Sequence, residues 1–157
     1  MKFPKLHILV VEDDCIQAMD MASILQAAGV AVVGPFSNLS AALASIRSTD
    51  RLDAAVLDVC LGTTRVDPVV NELKARRIPV VLVTGYPLGP DSPTLTGLPL
   101  VAKPCQASDL ISTLAGALVS EQRTFLCDLH RQERRMPDRQ NWTGADEPHS
   151  APSNLPH

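Results

Sequence analysis

Short, uninterrupted apolar runs alternate along the chain with longer stretches in which apolar residues recur every three or four positions. The apolar runs predict five strands, at 6–11, 30–34, 54–59, 78–85 and 98–102. Most of these runs contain few polar residues, whereas a strand with one solvent-facing side alternates between apolar and polar residues. The pattern therefore indicates parallel strands that are covered on both faces.

The stretches between the runs have the spacing of amphipathic helices. They predict four helices, at 15–28, 39–48, 67–77 and 108–119. A repeated order of strand, helix and strand is typical of the α/β class, in which helices cover both sides of a parallel sheet. We therefore expect an α/β fold with a five-stranded, doubly wound parallel sheet.

The connection between the fourth and fifth predicted strands does not follow this pattern. Residues 86–99, YPLGPDSPTLTGLP, contain four prolines and two glycines. Proline lacks a backbone N–H donor and disrupts the interior of a helix. We expect a loop with at most one helical turn here, so that the fourth helix of the fold is shortened or missing.

Length and composition are those of one globular domain. The chain has 157 residues, of which 45% are hydrophobic and 20% charged, and its net charge is −3. No basic stripe is present, so neither nucleic acid nor an anionic membrane surface is an expected partner. No apolar run reaches the length of a membrane span, and the four cysteines lie far apart without zinc-binding spacing. We expect a cytoplasmic protein.

The C-terminal part of the chain differs in composition from the rest. We assign residues 1–119 to the domain and 120–136 to a candidate extension of the last helix. Residues 137–157 are polar and contain prolines, which predicts a disordered tail. Trp142 stands isolated among polar residues in this tail, which suggests a segment that binds a partner.

Acidic, hydroxyl and basic side chains stand at the ends of four predicted strands. They are Glu12, Asp13, Asp58, Thr84 and Lys103. Ligands of a doubly wound sheet bind beyond the carboxyl ends of its strands, so these side chains should converge. Clustered carboxylates stay ionised together only with a cation among them, and Mg²⁺ prefers such oxygen ligands. A carboxylate can also accept a phosphoryl group. We therefore interpret Asp58 as a phosphoryl acceptor; taken alone, it could simply cap a turn.

Four motifs, in this order, resemble the receiver domain of two-component response regulators. They are HILVVEDD, AAVLDVCLG, PVVLVTGY and VAKP, and the resemblance covers residues 1–119. It implies a flavodoxin-like sheet with strand order 2-1-3-4-5. It also implies that Asp58 is the phosphoacceptor, that Thr84 and Lys103 contact the phosphoryl group, and that the bond before Pro104 is cis.

The same resemblance implies a Mg²⁺ site. Its ligands would be the carboxylates of Glu12, Asp13 and Asp58 together with the backbone carbonyl of Cys60. Asp13 would be the more direct ligand of the acidic pair.

Two features depart from the family pattern. Receivers usually carry Tyr or Phe three residues before the lysine, but Leu100 stands there. The usual coupling of Thr84 to an aromatic side chain therefore lacks its partner. The short fourth connection and the string LVTGY, residues 82–86, are similar in part to a subgroup of single-domain receivers often called FATGUY-type.

The predicted function is phosphorylation-dependent signalling by a stand-alone receiver. A histidine kinase or histidine phosphotransfer protein would donate the phosphoryl group, and the output would be contact with a downstream protein. The protein would catalyse only its own phosphorylation and dephosphorylation, so we do not class it as an enzyme. A homodimer is also compatible with the sequence.

Two other functions are alternatives to this prediction. In one, the chain is a degenerate receiver that acts as an interaction module without phosphorylation. In the other, it is a magnesium-dependent phosphatase with Asp58 as nucleophile. The second is disfavoured because Cys60 stands where such an enzyme carries its second acid.

Overall fold

The computed structural model describes residues 5–133. The predicted tail at 137–157 and the last three residues of the candidate extension lie outside this range. The strands are β1 (His7–Val11), β2 (Ala31–Phe36), β3 (Ala54–Asp58), β4 (Cys60–Leu61), β5 (Thr64–Arg65), β6 (Val80–Thr84) and β7 (Leu100–Ala102). The helices are α1 (Cys15–Ala27), α2 (Leu39–Ser48), α3 (Asp67–Ala75) and α4 (Ala107–Glu133).

Five strands form one parallel sheet in the order β2-β1-β3-β6-β7. This order confirms the predicted doubly wound sheet, because β6 and β7 are the fourth and fifth strands of the sequence pattern. Strands β4 and β5 form a separate antiparallel hairpin that the apolar pattern did not predict. Strands of two residues are too short to show any periodicity.

Two apolar layers enclose the sheet. On one face, β1, β3 and β6 pack against α1 and α4 through side chains such as Met21, Leu25, Leu110 and Leu114. On the other face, the same strands pack against α2 and α3. Successive side chains of a strand point to opposite faces, so continuously apolar strands fill both layers. Burial on both faces explains why the runs of β1, β3 and β6 show no alternation.

The connection between β6 and β7 contains no helix. Leu95 from this loop is fully buried in the layer that holds α2 and α3. Lys74 of α3 donates from its Nζ to the carbonyl of Thr94 at 2.6 Å. The loop thus packs as a fixed irregular segment in the place of a helix, which confirms the predicted absence of the fourth helix.

Helix α4 is much longer than the predicted helix at 108–119. It runs for 27 residues and continues to Glu133, through most of the candidate extension at 120–136. Its first half packs on the sheet through Leu110, Leu114 and Ala117. Within residues 5–133, no helix combines the length and the apolar character needed to cross a bilayer.

Candidate functional site

The predicted site residues all lie at the carboxyl edge of the parallel sheet. Asp58 and Thr84 are the last residues of β3 and β6. Glu12 follows β1 directly, and Lys103 follows β7 directly. Since parallel strands end on the same edge, residues that are far apart in the chain meet here.

The side chain of Lys103 joins two of the carboxylates. Its Nζ lies 2.8 Å from Oε2 of Glu12 and 2.9 Å from Oδ2 of Asp58. Glu12 is 2% exposed and Asp58 is 7% exposed. Buried charges are costly unless they are paired and hydrogen-bonded, and the ammonium group meets this requirement for both acids. The bond between Lys103 and Pro104 is cis, as the resemblance implied.

A third carboxylate completes an acidic cluster. One oxygen each from Glu12, Asp13 and Asp58 lies within 4.8 Å of the others, and Asp13 is exposed to solvent. Three carboxylates and one ammonium leave a formal charge of −3 + 1 = −2. One divalent cation balances this charge, and an all-oxygen donor set with one solvent-exposed carboxylate suits Mg²⁺. The residues present therefore fit a magnesium ion.

Backbone N–H groups orient the three carboxylates. Gly62 donates to Oδ2 of Asp13 at 2.8 Å, and Cys60 donates to Oδ1 of Asp58 at 3.3 Å. Asp14 donates its N–H to Oε1 of Glu12 at 3.0 Å. The hairpin of β4 and β5 thus orients Asp13 and Asp58 through its backbone N–H groups. The pattern of side chains in the sequence does not reveal such groups.

The predicted role of Cys60 concerns its carbonyl group. The structure places Cys60 at the start of β4, two residues after Asp58, with an exposed side chain. The role of its carbonyl oxygen as a metal ligand stays a prediction. Gly62 was not identified as a site residue from the sequence, because a glycine can signal a turn but not which carboxylate its N–H will bind. Its φ of +63° is in the left-handed region that favours glycine.

Burial and pairing shift the pKa values of two site residues. Burial raises the pKa of Glu12 above its usual range, against the opposing effect of the hydrogen bond from Lys103. Burial alone would lower the pKa of Lys103, but the hydrogen bonds and charges of Glu12 and Asp58 outweigh it and raise that pKa. The lysine therefore stays cationic in the site at neutral pH.

Thr84 is almost fully buried, and its hydroxyl group is held by the loop that follows β6. The Thr84 hydroxyl donates to the carbonyl of Tyr86 at 3.1 Å and accepts from the N–H of Tyr86 at 3.2 Å. The side chain of Tyr86 is 82% exposed. Leu100 on β7, which replaces the expected aromatic residue, is also exposed. The Thr84 side chain is thus linked to the loop by two hydrogen bonds with the backbone of Tyr86.

A further link joins this loop to the hairpin. The guanidinium group of Arg65, on β5, donates to the hydroxyl of the buried Ser92 and forms an ion pair with Asp67 at 3.0 Å. Neither Arg65 nor Ser92 was singled out in the sequence, and no local motif marks them. The pairing depends on how the hairpin and the loop pack together.

Comparisons with known proteins agree with this architecture. No protein-family model matches the chain. The phyllosphere-induced regulator PhyR of Methylorubrum extorquens is 29% identical over 131 residues, which cover 79% of this chain and 48% of PhyR. The chain therefore spans about half the length of this curated relative.

Two solved structures are similar over nearly their whole length. The solution structure of SdrG from Sphingomonas melonis Fr1 is 33% identical, with a TM-score of 0.64, and the match covers 73% of this chain and 96% of SdrG. A CheY-like response regulator receiver domain protein from Methanospirillum hungatei JF-1 has a TM-score of 0.65 at 22% identity, covering 76% of this chain and 98% of its own. These similarities agree with the predicted motifs and with the strand order of the sheet. The chain belongs to the response regulator receiver domain family.

Proposed function

We propose that this protein is a phosphorylation-activated response regulator whose phosphoacceptor is Asp58. The observation that supports this most directly is the position of the Lys103 ammonium group between Glu12 and Asp58. A lysine in this position neutralises part of the charge of the acceptor and offers a donor to the oxygens of an incoming phosphoryl group. Asp58 is 7% exposed, so the residue is not completely shielded from solvent.

The transfer needs a nucleophile and neutralisation of charge rather than a general base. An oxygen of the Asp58 carboxylate attacks phosphorus and forms a P–O bond while the P–N bond to the donor histidine breaks. The electron pair of the broken bond stays on the imidazole nitrogen, which takes up a proton. Because the nucleophile is a carboxylate rather than a hydroxyl or a thiol, the transfer requires no base to activate it. Lys103 holds one phosphoryl oxygen, and Thr84 is the hydroxyl group on the neighbouring strand.

Mg²⁺ would be held by Glu12, Asp13, Asp58 and the carbonyl of Cys60. When bound, it neutralises the negative charge of the carboxylates and the phosphoryl oxygens. The backbone N–H of Gly62 keeps the Asp13 carboxylate turned towards the cluster at 2.8 Å. This residue set uses oxygen ligands only, as Mg²⁺ prefers.

The response would begin at the loop between β6 and β7. The new group on Asp58 carries a charge of about −1.5 to −2 and offers strong acceptor oxygens. Thr84 is bonded to the backbone of Tyr86. Turning the hydroxyl towards the phosphoryl group would break those bonds and free the start of the loop. The changed surface would then be read by a downstream protein, and the donor would be a histidine kinase or histidine phosphotransfer protein in the cytoplasm.

The test is intact-mass spectrometry after incubation with acetyl phosphate, with and without Mg²⁺. The wild-type protein should gain one phosphoryl group only with Mg²⁺, and Asp58→Asn should gain none. Asp53→Asn is a matched control, since Asp53 lies just before the opposite end of β3, where it accepts a hydrogen bond from the His7 N–H. It should be labelled like the wild type.

A negative result has a defined meaning. Because some receivers ignore small donors, phosphoramidate and a candidate histidine kinase would follow. If none of them labels Asp58, the proposal fails, and the protein acts as an interaction module without phosphorylation. Labelling of Asp58→Asn to the same extent as the wild type would also overturn the assignment of the acceptor.

A further inference from the structure

Within residues 5–133, no segment packs against an apolar stripe that runs along the second half of α4. It consists of Val119, Phe125, Leu126 and Leu129, whose side chains are between 41% and 55% exposed. They are half of the eight large apolar residues that are exposed within residues 5–133, and they fall within eleven positions of one helix. Such a concentration of exposed apolar surface marks a binding surface more often than it occurs by chance.

The stripe lies outside the contact between α4 and the sheet. The buried face of the helix is formed by Leu110, Leu114 and Ala117, and no side chain at 118–131 is buried. At about 100° per residue, the stripe is turned by about a third of a turn from that face. Sixteen residues, 118–133, continue the helix beyond Ala117, which corresponds to about 24 Å. The domain itself therefore does not cover the stripe.

The spacing of the stripe is that of a helix that packs against another helix. Val119 and Leu126 are seven residues apart, and Leu129 follows three residues after Leu126. This is the 3-4 spacing of the seam of a coiled coil. Gln122 occupies the remaining seam position between Val119 and Leu129, and Glu133 follows Leu129 at the next one. Phe125 lies beside the seam and widens it.

We propose that the α4 stripe binds the same stripe of a second copy of this chain in a parallel, two-fold arrangement. A second copy supplies an apolar surface of equal length and spacing. The 24 residues that follow Glu133 in this sequence contain four prolines, and their large apolar residues are only Met136, Trp142 and Leu155. They are a poorer match for a stripe of this length, so a second helix is the better occupant.

The residues beside the seam support the parallel orientation. Arg123 and His130 lie on one side of the seam, and Phe125 lies on the other side. An antiparallel pair brings like sides together, so the Arg123 sides of the two helices would meet. A parallel pair instead sets each Arg123 side against the Phe125 side of the other helix. The parallel pair therefore keeps the two basic sides apart.

Sedimentation velocity of the full chain over a range of micromolar concentrations tests the association. The wild-type protein should be a dimer, and Leu126→Gln/Leu129→Gln should raise the dissociation constant about tenfold or more. The matched control is Ile16→Gln/Met19→Gln. It removes two exposed apolar residues that, like Leu126 and Leu129, lie three positions apart on one helix, here α1. The control should dimerise like the wild type.

Disulfide cross-linking tests the orientation. In a chain whose four native cysteines are replaced by serine, Val119→Cys and Leu129→Cys should each form a covalent dimer under mild oxidation. Ser120→Cys, on the other side of the helix, should not. In an antiparallel pair, position 119 of one helix would lie near position 129 of the other, so neither single cysteine would cross-link to itself.

Several results would overturn the proposal. One is a wild-type chain that stays monomeric at every concentration. Slow hydrogen exchange of 119–129 in such a monomer, lost on deletion of 134–157, would identify the tail as the occupant instead. The proposal also fails if the α4 double variant dimerises like the wild type, or if Ser120→Cys cross-links as well as the stripe cysteines.

Discussion

The Nζ atom of Lys103 donates to Oδ2 of Asp58 at 2.9 Å, across 45 residues of sequence. The two residues lie at the ends of β7 and β3, which are not neighbours in the sheet, since β6 lies between them. Only a long, flexible side chain can reach across the end of the intervening strand, and lysine supplies one with a charge at its tip. The strand order thus determines which residue type can complete the site.

Replacing Lys103 should separate metal binding from phosphorylation. In Lys103→Gln the acidic cluster loses the ammonium group that contacts Glu12 and Asp58. The oxygens of these two acids are then free to bind the metal without competition from the lysine. We expect Mg²⁺ to bind at least as tightly as in the wild type, and the phosphorylated fraction to fall about tenfold or more, because one donor to the phosphoryl oxygens is gone. Calorimetry with Mg²⁺ and intact-mass spectrometry with acetyl phosphate measure the two effects.

The control for this pair of measurements is Lys74→Gln. Lys74 lies on α3, where it binds the carbonyl of Thr94 rather than a site carboxylate. It should leave both quantities unchanged. A Lys103→Gln protein that loses Mg²⁺ affinity and phosphorylation together would contradict the separate role given to the lysine.

Alkaline pH should weaken the contribution of Lys103 to stability. Burial lowers the pKa of this lysine, but Glu12 and Asp58 raise it by more, so the folded pKa lies above the unfolded one. For such a group, the stabilisation is fully present below the unfolded pKa and is lost as the pH rises through the folded pKa. The free energy of unfolding of the wild type minus that of Lys103→Gln should therefore be constant at mildly alkaline pH and fall at strongly alkaline pH.

Urea denaturation of both proteins across this pH range measures the difference. The difference in free energy of unfolding between the wild type and Lys74→Gln should show no comparable fall with pH. Lys74 is exposed to solvent and donates to a carbonyl group rather than to a carboxylate. A difference that grows with rising pH would mean that the lysine is not held cationic by the two acids.

Much of the fold follows from local sequence patterns, and the parts that do not are set by tertiary packing. Continuous apolar runs identified all five sheet strands, and in the inner strands β1, β3 and β6 burial on both faces accounts for the lack of polar positions. The hairpin of β4 and β5 was missed because two-residue strands have no period. Helix α4 continues to Glu133, through most of the candidate extension at 120–136, and no glycine or proline interrupts residues 117–133.

The candidate site could likewise be predicted only in part. The convergence of Glu12, Asp58 and Lys103 could be predicted, because parallel strands end on one edge and the residues follow those strands directly. The role of the Gly62 N–H group could not be predicted, because every residue except proline has such a group. The contact between Arg65 and Ser92 could not be predicted either, because it joins segments 27 residues apart. Backbone donors and long-range contacts leave no pattern in side-chain chemistry.

Gly34 is required by the packing of β2 on β1. Its φ is +104°, and a methyl group built on it would lie 2.9 Å from the carbonyl oxygen of Val10 and from the N–H of Phe36. Both atoms belong to the backbone and cannot move aside easily. Gly34→Ala should therefore lower the free energy of unfolding by about 2 kcal/mol or more.

Chemical denaturation measures this change, with Gly89→Ala as the control. A methyl group at Gly89 would meet no atom within 4 Å, so the expected change is within about 0.5 kcal/mol. Equal effects of the two substitutions would show that the strand tolerates a side chain at position 34.

Thr84 should transmit phosphorylation to the loop at 85–99. Its hydroxyl group forms both of its hydrogen bonds with the backbone of Tyr86, and the Leu100 side chain offers no hydroxyl or ring to relay a movement. Thr84→Val keeps the shape of the side chain but removes these bonds. We expect this variant to be phosphorylated within a few-fold of the wild type, while the amide shifts of residues 86–96 no longer change on phosphorylation.

Heteronuclear NMR of the protein before and after addition of acetyl phosphate and Mg²⁺ measures the response. Thr84→Ser keeps the hydroxyl and should respond as the wild type does, whereas Leu100→Ala should leave the response intact because the Leu100 side chain is exposed at the sheet edge. Loss of the loop response in Leu100→Ala, with Thr84→Val still responding, would place the relay on β7 instead. In that case the response of the loop at 85–99 would not depend on the Thr84 hydroxyl group.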